Sequence, residues 1–157
     1  MRAALSFRLP LDAAEAEERL RRLEDLLALI NADKEEQALD PERFAGNLRD
    51  YPEWLKESFG SPETRRAMER FCGCGLAELF DEWDLETWYE SLFFCEAWDY
   101  RLRRPGPPGK APGAITFQVE EEHYGGDVAH AWLLLALGAR ELRCAAPREE
   151  KGSAPGG

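Results

Sequence analysis

Long apolar runs are missing from this chain of 157 residues. None of its hydrophobic stretches approaches the roughly 20 consecutive apolar residues that a transmembrane helix needs. The beginning of the chain, MRAALSFRLPLDAAEAEERL, interrupts a short apolar stretch at Arg8 and Pro10 and then becomes acidic, unlike a secretory signal. The sequence therefore predicts a soluble, cytoplasmic protein.

Motifs of catalysis or cofactor binding are equally scarce, and the chain contains only two histidines. His123 and His130 lie in the stretch EEEHYGGDVAHAW, which lacks the HExxH spacing of a zinc protease and any GxGxxG or Walker loop. His130 is flanked by Ala129, Ala131 and Trp132. We interpret it as a histidine packed within a helix, and a metal or acid–base site at His123 and His130 is the alternative.

The four cysteines do not form a recognisable metal or disulfide framework. Cys72 and Cys74 form a CxC pair in FCGCG, and the other two cysteines are single. Zinc and iron–sulfur sites normally need a second pair, or a histidine at a fixed spacing. A chain without a secretory signal is also expected to keep its thiols free. We therefore expect no cofactor and no bound metal.

Positive charge is absent from residues 71–100, although the chain contains 20 Lys and Arg residues. The same segment holds eight Asp and Glu residues and nine aromatic residues. Solvated helices normally mix charges of both signs. Two compatible interpretations follow: the rings fill a core beneath the acids, or exposed rings and acids together bind a basic protein. The predicted contact residues are Asp81, Glu82, Trp83, Asp84, Glu86 and Trp88.

Hydrophobic periodicity predicts the order of the secondary structure. Residues 3–9 and 115–119 alternate between apolar and polar side chains, as half-buried strands do, and residues 91–104 are rich in strand formers. Asp12 is the expected N-cap of a first helix. A second, strongly apolar helix is expected to end at Gly138, before a last short strand.

This order predicts an α+β fold of the ferredoxin-like β-α-β-β-α-β class, with the first and third strands at the centre of an antiparallel sheet. A helical insertion is expected at about residues 33–90, between the first helix and the second strand. The single domain is expected to span residues 1–146, and residues 147–157 have the composition of a disordered tail.

The net charge of −11 favours basic proteins as partners and disfavours nucleic acid and anionic membranes. The predicted function is a small acidic protein-binding module that inhibits a basic, nucleic-acid-binding protein with carboxylates in place of phosphates. In size and charge the chain resembles phage-encoded anti-defence proteins, such as anti-CRISPR inhibitors, and immunity proteins for toxic nucleases.

Two alternatives from other classes stay open. One is a small metal-dependent enzyme or metal-binding protein that uses His123 and His130. The other is a self-associating ferredoxin-like structural module, for example a homodimer that pairs through its sheet or an edge strand. Direct nucleic-acid binding is disfavoured because no ring for base stacking occurs among the outward positions of the two central strands. These positions are Ala4, Ser6, Arg8, Thr116, Gln118 and Glu120.

Overall fold

The computed structural model describes residues 2–39, 48–72, 83–94, 97–103, 113–119 and 127–148. Within these ranges, none of the helices combines the length and the apolarity needed to span a bilayer. The elements, in chain order, are β1 (Arg2–Arg8), α1 (Ala13–Leu39), a 3₁₀ helix (Leu48–Asp50), α2 (Glu53–Ser58), α3 (Pro62–Cys72), α4 (Leu85–Phe94), β2 (Ala97–Arg103), β3 (Gly113–Val119), α5 (Asp127–Ala136) and β4 (Arg140–Arg148).

The four strands form one antiparallel sheet in the order β2-β3-β1-β4. The two strands with the clearest alternation, β1 and β3, are the central pair, as the sequence predicts. Leu5 of β1 lies opposite Ile115 of β3, and both side chains are at most 1% exposed. Ala4 and Ser6, the two residues next to Leu5 on β1, are less buried. The apolar side of the sheet therefore faces the helices.

The first helix begins where the sequence predicts. The backbone N–H of Glu15 donates to Oδ1 of Asp12 at 2.9 Å, so Asp12 is the N-cap. Leu23 and Ile30 then turn into the core, where both are fully buried. The helix packs against β2 and covers that part of the sheet.

Helix α5 lies in the middle of the molecule. It contacts β1 and β4 on one side, and α2, α3 and α4 on the other. Every residue from 129 to 135 is at most 9% exposed. A helix that is apolar on all sides needs cover on all sides. The sheet, α5 and the group of α2, α3 and α4 therefore form three successive layers.

This layering corrects the expected fold class. The chain is not a ferredoxin-like β-α-β-β-α-β domain with a helical insertion at residues 33–90. Tyr51, Leu55 and Trp88 from that segment belong to the same buried cluster as Leu5 of the sheet. Helical residues also outnumber strand residues by about two to one in the described ranges. An insertion leaves a complete core when it is removed, whereas loss of α2, α3 and α4 would expose the outer side of α5. The fold is a helix-rich α+β arrangement.

The second strand begins later than predicted. Strand formers fill residues 91–104, but α4 continues to Phe94 and β2 starts at Ala97. The rings of Tyr89 and Phe93 stack with their centroids 4.1 Å apart. Residues four apart contact each other on one face of a helix but not along a strand. This ring contact therefore stabilises a helix at residues whose individual propensities favour a strand.

A side chain of α1 completes the hydrogen bonding of β2. The register of β2 against β3 shifts between Trp98 and Arg101, and Asp99 has a φ of 57°. At this irregularity Asn31 Nδ2 donates to the carbonyl of Tyr100 at 2.8 Å, and the Tyr100 N–H donates to Asn31 Oδ1 at 2.9 Å. The Asn31 amide thus bonds both backbone groups of Tyr100 at a point where the strand register is irregular.

The last strand is longer than predicted. β4 reaches Arg148, so it includes the first residues of the segment expected to be a tail. Residues 149–157 lie outside the described residues, and a disordered tail there stays a prediction.

Gly138 ends α5 in the left-handed region, with a φ of 92°. Its N–H donates to the carbonyl of Leu135 at 3.0 Å, and the N–H of Ala139 donates to that of Leu134 at 3.0 Å. We expect Gly138→Ala to lower the free energy of unfolding by about 1 kcal/mol, because a Cβ disfavours this φ. No atom lies within 4 Å of the added Cβ, so urea denaturation measures backbone strain without a steric clash.

Gly60→Ala is the matched control. An added Cβ there meets the carbonyl of Glu57 at 3.7 Å, an ordinary contact, and Gly60 does not have a left-handed φ. This variant is expected to keep or slightly raise the free energy of unfolding. Equal losses in both variants would contradict the role assigned to Gly138.

Candidate functional site

Helix α4 and the two residues before it, Trp83 and Asp84, contain the described part of the predicted contact set. Asp81 and Glu82 lie outside the described residues. Asp84 and Glu86 are exposed at the start of the helix, and Glu90, one turn further on, is exposed as well. No Lys or Arg occurs from residue 83 to residue 94. The exposed half of α4 therefore presents negative charge alone.

Asp84 has a structural role in addition to its charge. The backbone N–H of Thr87 donates to Asp84 Oδ1 at 2.8 Å, so this carboxylate caps α4. The bond stabilises the ionised form and lowers the pKa of Asp84 below its ordinary value. Asp84 is therefore fully charged at neutral pH, and the hydrogen bond fixes its carboxylate at the N-terminus of the helix.

The two tryptophans of the predicted contact set lie inside the protein. Trp83 is 3% exposed and Trp88 is 0% exposed. The indole N–H of Trp88 donates to the carbonyl of Ala129 in α5 at 2.9 Å, and the ring of Trp83 lies 6.1 Å from that of Trp132. These rings support α4 from beneath. In this conformation neither ring is exposed for contact with another protein, unlike the carboxylates Asp84 and Glu86.

A second group of carboxylates lies where α1 approaches the 3₁₀ helix. The hydroxyl of Tyr51 donates to Asp33 Oδ2 at 2.7 Å. Burial raises the pKa of Asp33, the hydrogen bond from Tyr51 partly opposes this, and the negative charges of Glu36 and Asp50 raise the pKa further. Glu36 and Asp50 are therefore each close enough to Asp33 to repel its negative charge. Asp33 and Glu36 lie about one turn apart on α1, whereas Asp50 ends the 3₁₀ helix, so no local sequence pattern predicts that Asp50 joins them.

Aromatic rings connect the two groups of carboxylates. The ring of Tyr51 meets that of Tyr89 edge-on at 5.7 Å, and Tyr89 stacks on Phe93 in α4. The ammonium of Lys34 lies 5.5 Å from the centroid of the Phe93 ring, within cation–π distance. We define the acidic surface as the carboxylates of these two ring-linked groups: Asp33, Glu36, Asp50, Asp84, Glu86 and Glu90.

His130 is a core residue. It is 0% exposed, and its ring lies against that of Tyr100 with the centroids 4.3 Å apart. Burial lowers the pKa of His130 to about 3, and the positive charge of Lys34 contributes in the same direction. The interpretation as a histidine packed within a helix is confirmed, and the ring is neutral at physiological pH.

The described residues do not assemble a metal centre. No group of three or more His, Cys, Asp or Glu side chains within the described ranges is arranged to hold an ion. His123 and Cys74 lie outside these ranges, and Cys72 is the last residue of α3. The alternative of a metal-dependent protein thus gains no support from the surroundings of His130, which is enclosed in the core.

The buried His130 is expected to make the protein less stable as the pH falls. An unfolded chain binds a proton at histidine near the ordinary pKa of about 6.5, whereas His130 in the fold does so only near pH 3. Between these values the unfolded state binds more protons than the folded state. The free energy of unfolding therefore decreases on acidification by up to about 1.4 kcal/mol per pH unit from this group.

A comparison of the wild-type protein with His130→Leu isolates this contribution. Urea denaturation of both proteins between about pH 4 and pH 7 cancels the titration of all other groups. The wild-type protein is expected to lose stability relative to the variant as the pH decreases below about 6.5. A difference in unfolding free energy that does not change with pH would contradict the buried, neutral state of His130.

The acidic surface is the arrangement of described residues best suited to binding, and α4 holds its carboxylates on a rigid support. No protein-family model, curated protein or solved structure matches this chain significantly.

Proposed function

We propose that this protein is an acidic protein-binding module whose acidic surface binds a basic, nucleic-acid-binding protein. The observation that carries the proposal is the single-signed charge of α4. Asp84, Glu86 and Glu90 are exposed there, and the segment contains no Lys or Arg to neutralise them. The net charge of −11 adds a longer-range attraction for the same class of partner.

A rigid base under the carboxylates favours this function. The hydrogen bond from Trp88 to Ala129 fixes α4 on the central helix, and the bond from Thr87 fixes the carboxylate of Asp84. Groups that are already ordered lose less conformational freedom when a partner binds. The buried tryptophans therefore contribute to binding indirectly, because they hold the charged helix in place.

Several carboxylates must act together. A single exposed ion pair stabilises a complex by about 0–1 kcal/mol, because water and salt screen it. The carboxylates of α4 and those around Tyr51 together match a partner surface that carries several Lys or Arg side chains. Such a complex forms rapidly through electrostatic steering, and it weakens as salt shortens the Debye length to about 10 Å at 0.1 M.

The proposal extends to inhibition of the partner. A protein that binds nucleic acid holds its phosphates with Lys and Arg side chains. Carboxylates at a similar density occupy the same side chains and exclude the nucleic acid. This is the mode of action expected of an anti-defence, anti-CRISPR-type inhibitor or of an immunity protein for a nuclease, the classes that the size and charge of the chain resemble.

Charge reversal on α4 tests the proposal. A partner is first isolated on the immobilised wild-type protein at low salt, eluted with salt and identified. Its dissociation constant is then measured by calorimetry for the wild-type protein and for Glu86→Lys/Glu90→Lys. We expect the variant to bind at least about tenfold more weakly, since two attractions become repulsions and about 1.4 kcal/mol corresponds to a factor of ten. The isolated partner is expected to be basic and to lose nucleic acid to the wild-type protein.

The matched control is Asp25→Lys/Glu63→Lys, which makes the same change in net charge at exposed positions of α1 and α3. It is expected to keep most of the affinity. Equal losses in the two variants would attribute binding to net charge alone, and unchanged affinity in the α4 variant would refute the proposed surface.

Asp81→Lys/Glu82→Lys tests in the same way the predicted contacts outside the described residues.

A further inference from the structure

The side of the sheet that faces away from the helices carries a second charged surface. On β1, Leu5 and Phe7 are at most 2% exposed and point to the core, whereas Arg8 is exposed on the opposite side. Successive residues of a strand point to opposite faces of a sheet. Residues that lie opposite Ala4, Ser6 and Arg8 in neighbouring strands therefore share this outer side with them.

The strand register gathers arginines on the outer side. Arg8 pairs with Arg140 of β4, and Ser6 pairs with Arg143. Across β3, Arg103 of β2 lies in the same row as Ser6, because both pair with Ala114. Arg101 follows one row further along β2, opposite Thr116. All five arginines are exposed. We define the arginine face by these residues: Arg8, Arg101, Arg103, Arg140 and Arg143.

The arginine face has an excess of positive charge. Two of its arginines form ion pairs: Oε2 of Glu141 lies 3.3 Å from Nε of Arg8, and Oδ1 of Asp99 lies 3.0 Å from Nε of Arg101. Among the described residues, no carboxylate lies within ion-pairing distance of Arg103, Arg140 or Arg143. In the row that contains Arg103 and Arg143, the strand spacing separates the two positions by about 14 Å, with small residues between them. This makes a shallow surface with guanidinium groups along both edges.

The carboxylates of α4 and the arginine face lie on opposite sides of the molecule. Helix α4 contacts α5 on its inner side, and α5 in turn contacts β1 and β4. The exposed half of α4 therefore points away from the sheet. The carboxylates of α4 therefore cannot meet the arginine face of their own copy, but they can meet that of a second copy.

We propose that the arginine face binds the acidic surface of a second copy of this chain, in a head-to-tail arrangement. Charge complementarity within the chain identifies this occupant. Glu86 and Glu90 are exposed, as Arg103 and Arg143 are, and no ion pair among the described residues involves any of these four side chains. The inference rests on the acidic surface of the proposed function, but it requires no other protein.

This association is weak, reversible and sensitive to salt. The outer side of the sheet is roughly 15 Å wide and 20 Å long, well below the approximately 800 Å² that each partner buries in a stable interface. A head-to-tail contact also leaves one charged surface open at each end, so the assembly grows with protein concentration. A basic partner that occupies the acidic surface competes with this contact, and it returns the protein to single copies.

Two variants with neutral substitutions test the arrangement by sedimentation velocity. Arg103→Gln/Arg143→Gln weakens the arginine face, and Glu86→Gln/Glu90→Gln weakens the acidic surface. The wild-type protein is expected to show a concentration-dependent increase in mass at about 25 mM salt that disappears at about 300 mM salt. Each variant alone is expected to associate at least about fivefold more weakly. An equimolar mixture of the two is expected to form 1:1 pairs without further growth, because each variant keeps the surface that the other lacks.

Arg21→Gln/Arg66→Gln is the matched control for charge, since it removes two exposed arginines from helices. It is expected to associate as the wild-type protein does, and circular dichroism checks that all variants are folded. A wild-type protein that stays monomeric at low salt overturns the inference. A mixture of the two variants that fails to form pairs also overturns it. The inference is equally overturned if a fluorescein-labelled single-stranded oligonucleotide binds the wild-type protein but not Arg103→Gln/Arg143→Gln. The arginine variant is expected to keep its affinity for the basic partner, so failure of self-association and failure of the proposed function give different results.

Discussion

The burial of α5 on all its sides is the constraint on which the rest of the structure depends. Residues 129–135 leave no side of this helix for water, and exposure of so much apolar surface would cost several kcal/mol. The sheet covers one side, and α2, α3 and α4 cover the other. Two indole groups fix this cover: Trp88 donates to the carbonyl of Ala129, and Trp132 donates to the hydroxyl of Ser58 in α2, each at 2.9 Å. The rings of Trp83, Trp88, Tyr89 and Phe93, from the acidic segment, thus form part of the outer wall of the core.

The same layering separates the charges of the molecule. Rings that face α5 leave the acids of α4 outside, and a sheet with one side on the core leaves its arginines on the other. Glu86 on α4 and Arg103 on the sheet therefore belong to surfaces of opposite charge, and these two residues cannot meet within a single copy. The net charge of −11 conceals this division, because it averages over both. The function that we propose uses one of these surfaces, and self-association uses both.

Features set by neighbouring residues were predictable from the sequence, and features set by distant contacts were not. The alternation of β1, the cap at Asp12 and the end of α5 at Gly138 each depend on local geometry. The fold class depended on what covers the far side of α5, and the uninterrupted apolar residues from 131 to 137 were the one signal that such cover was needed. The approach of Asp50 to Asp33 and the arginine face were not predicted, because a tertiary contact produces the first and strand register produces the second.

Native-state hydrogen exchange tests most directly whether the helices of residues 48–94 are an integral layer of one core. Amides of α3 and α4 are expected to exchange through the same global opening as those of α5 and β1, with the same free energy and the same dependence on denaturant. That result would mean that the outer helices and the sheet unfold together. If α3 and α4 opened at a clearly lower free energy while α5 and β1 stayed protected, the outer helices would be a separable addition, and a single three-layer core would be refuted.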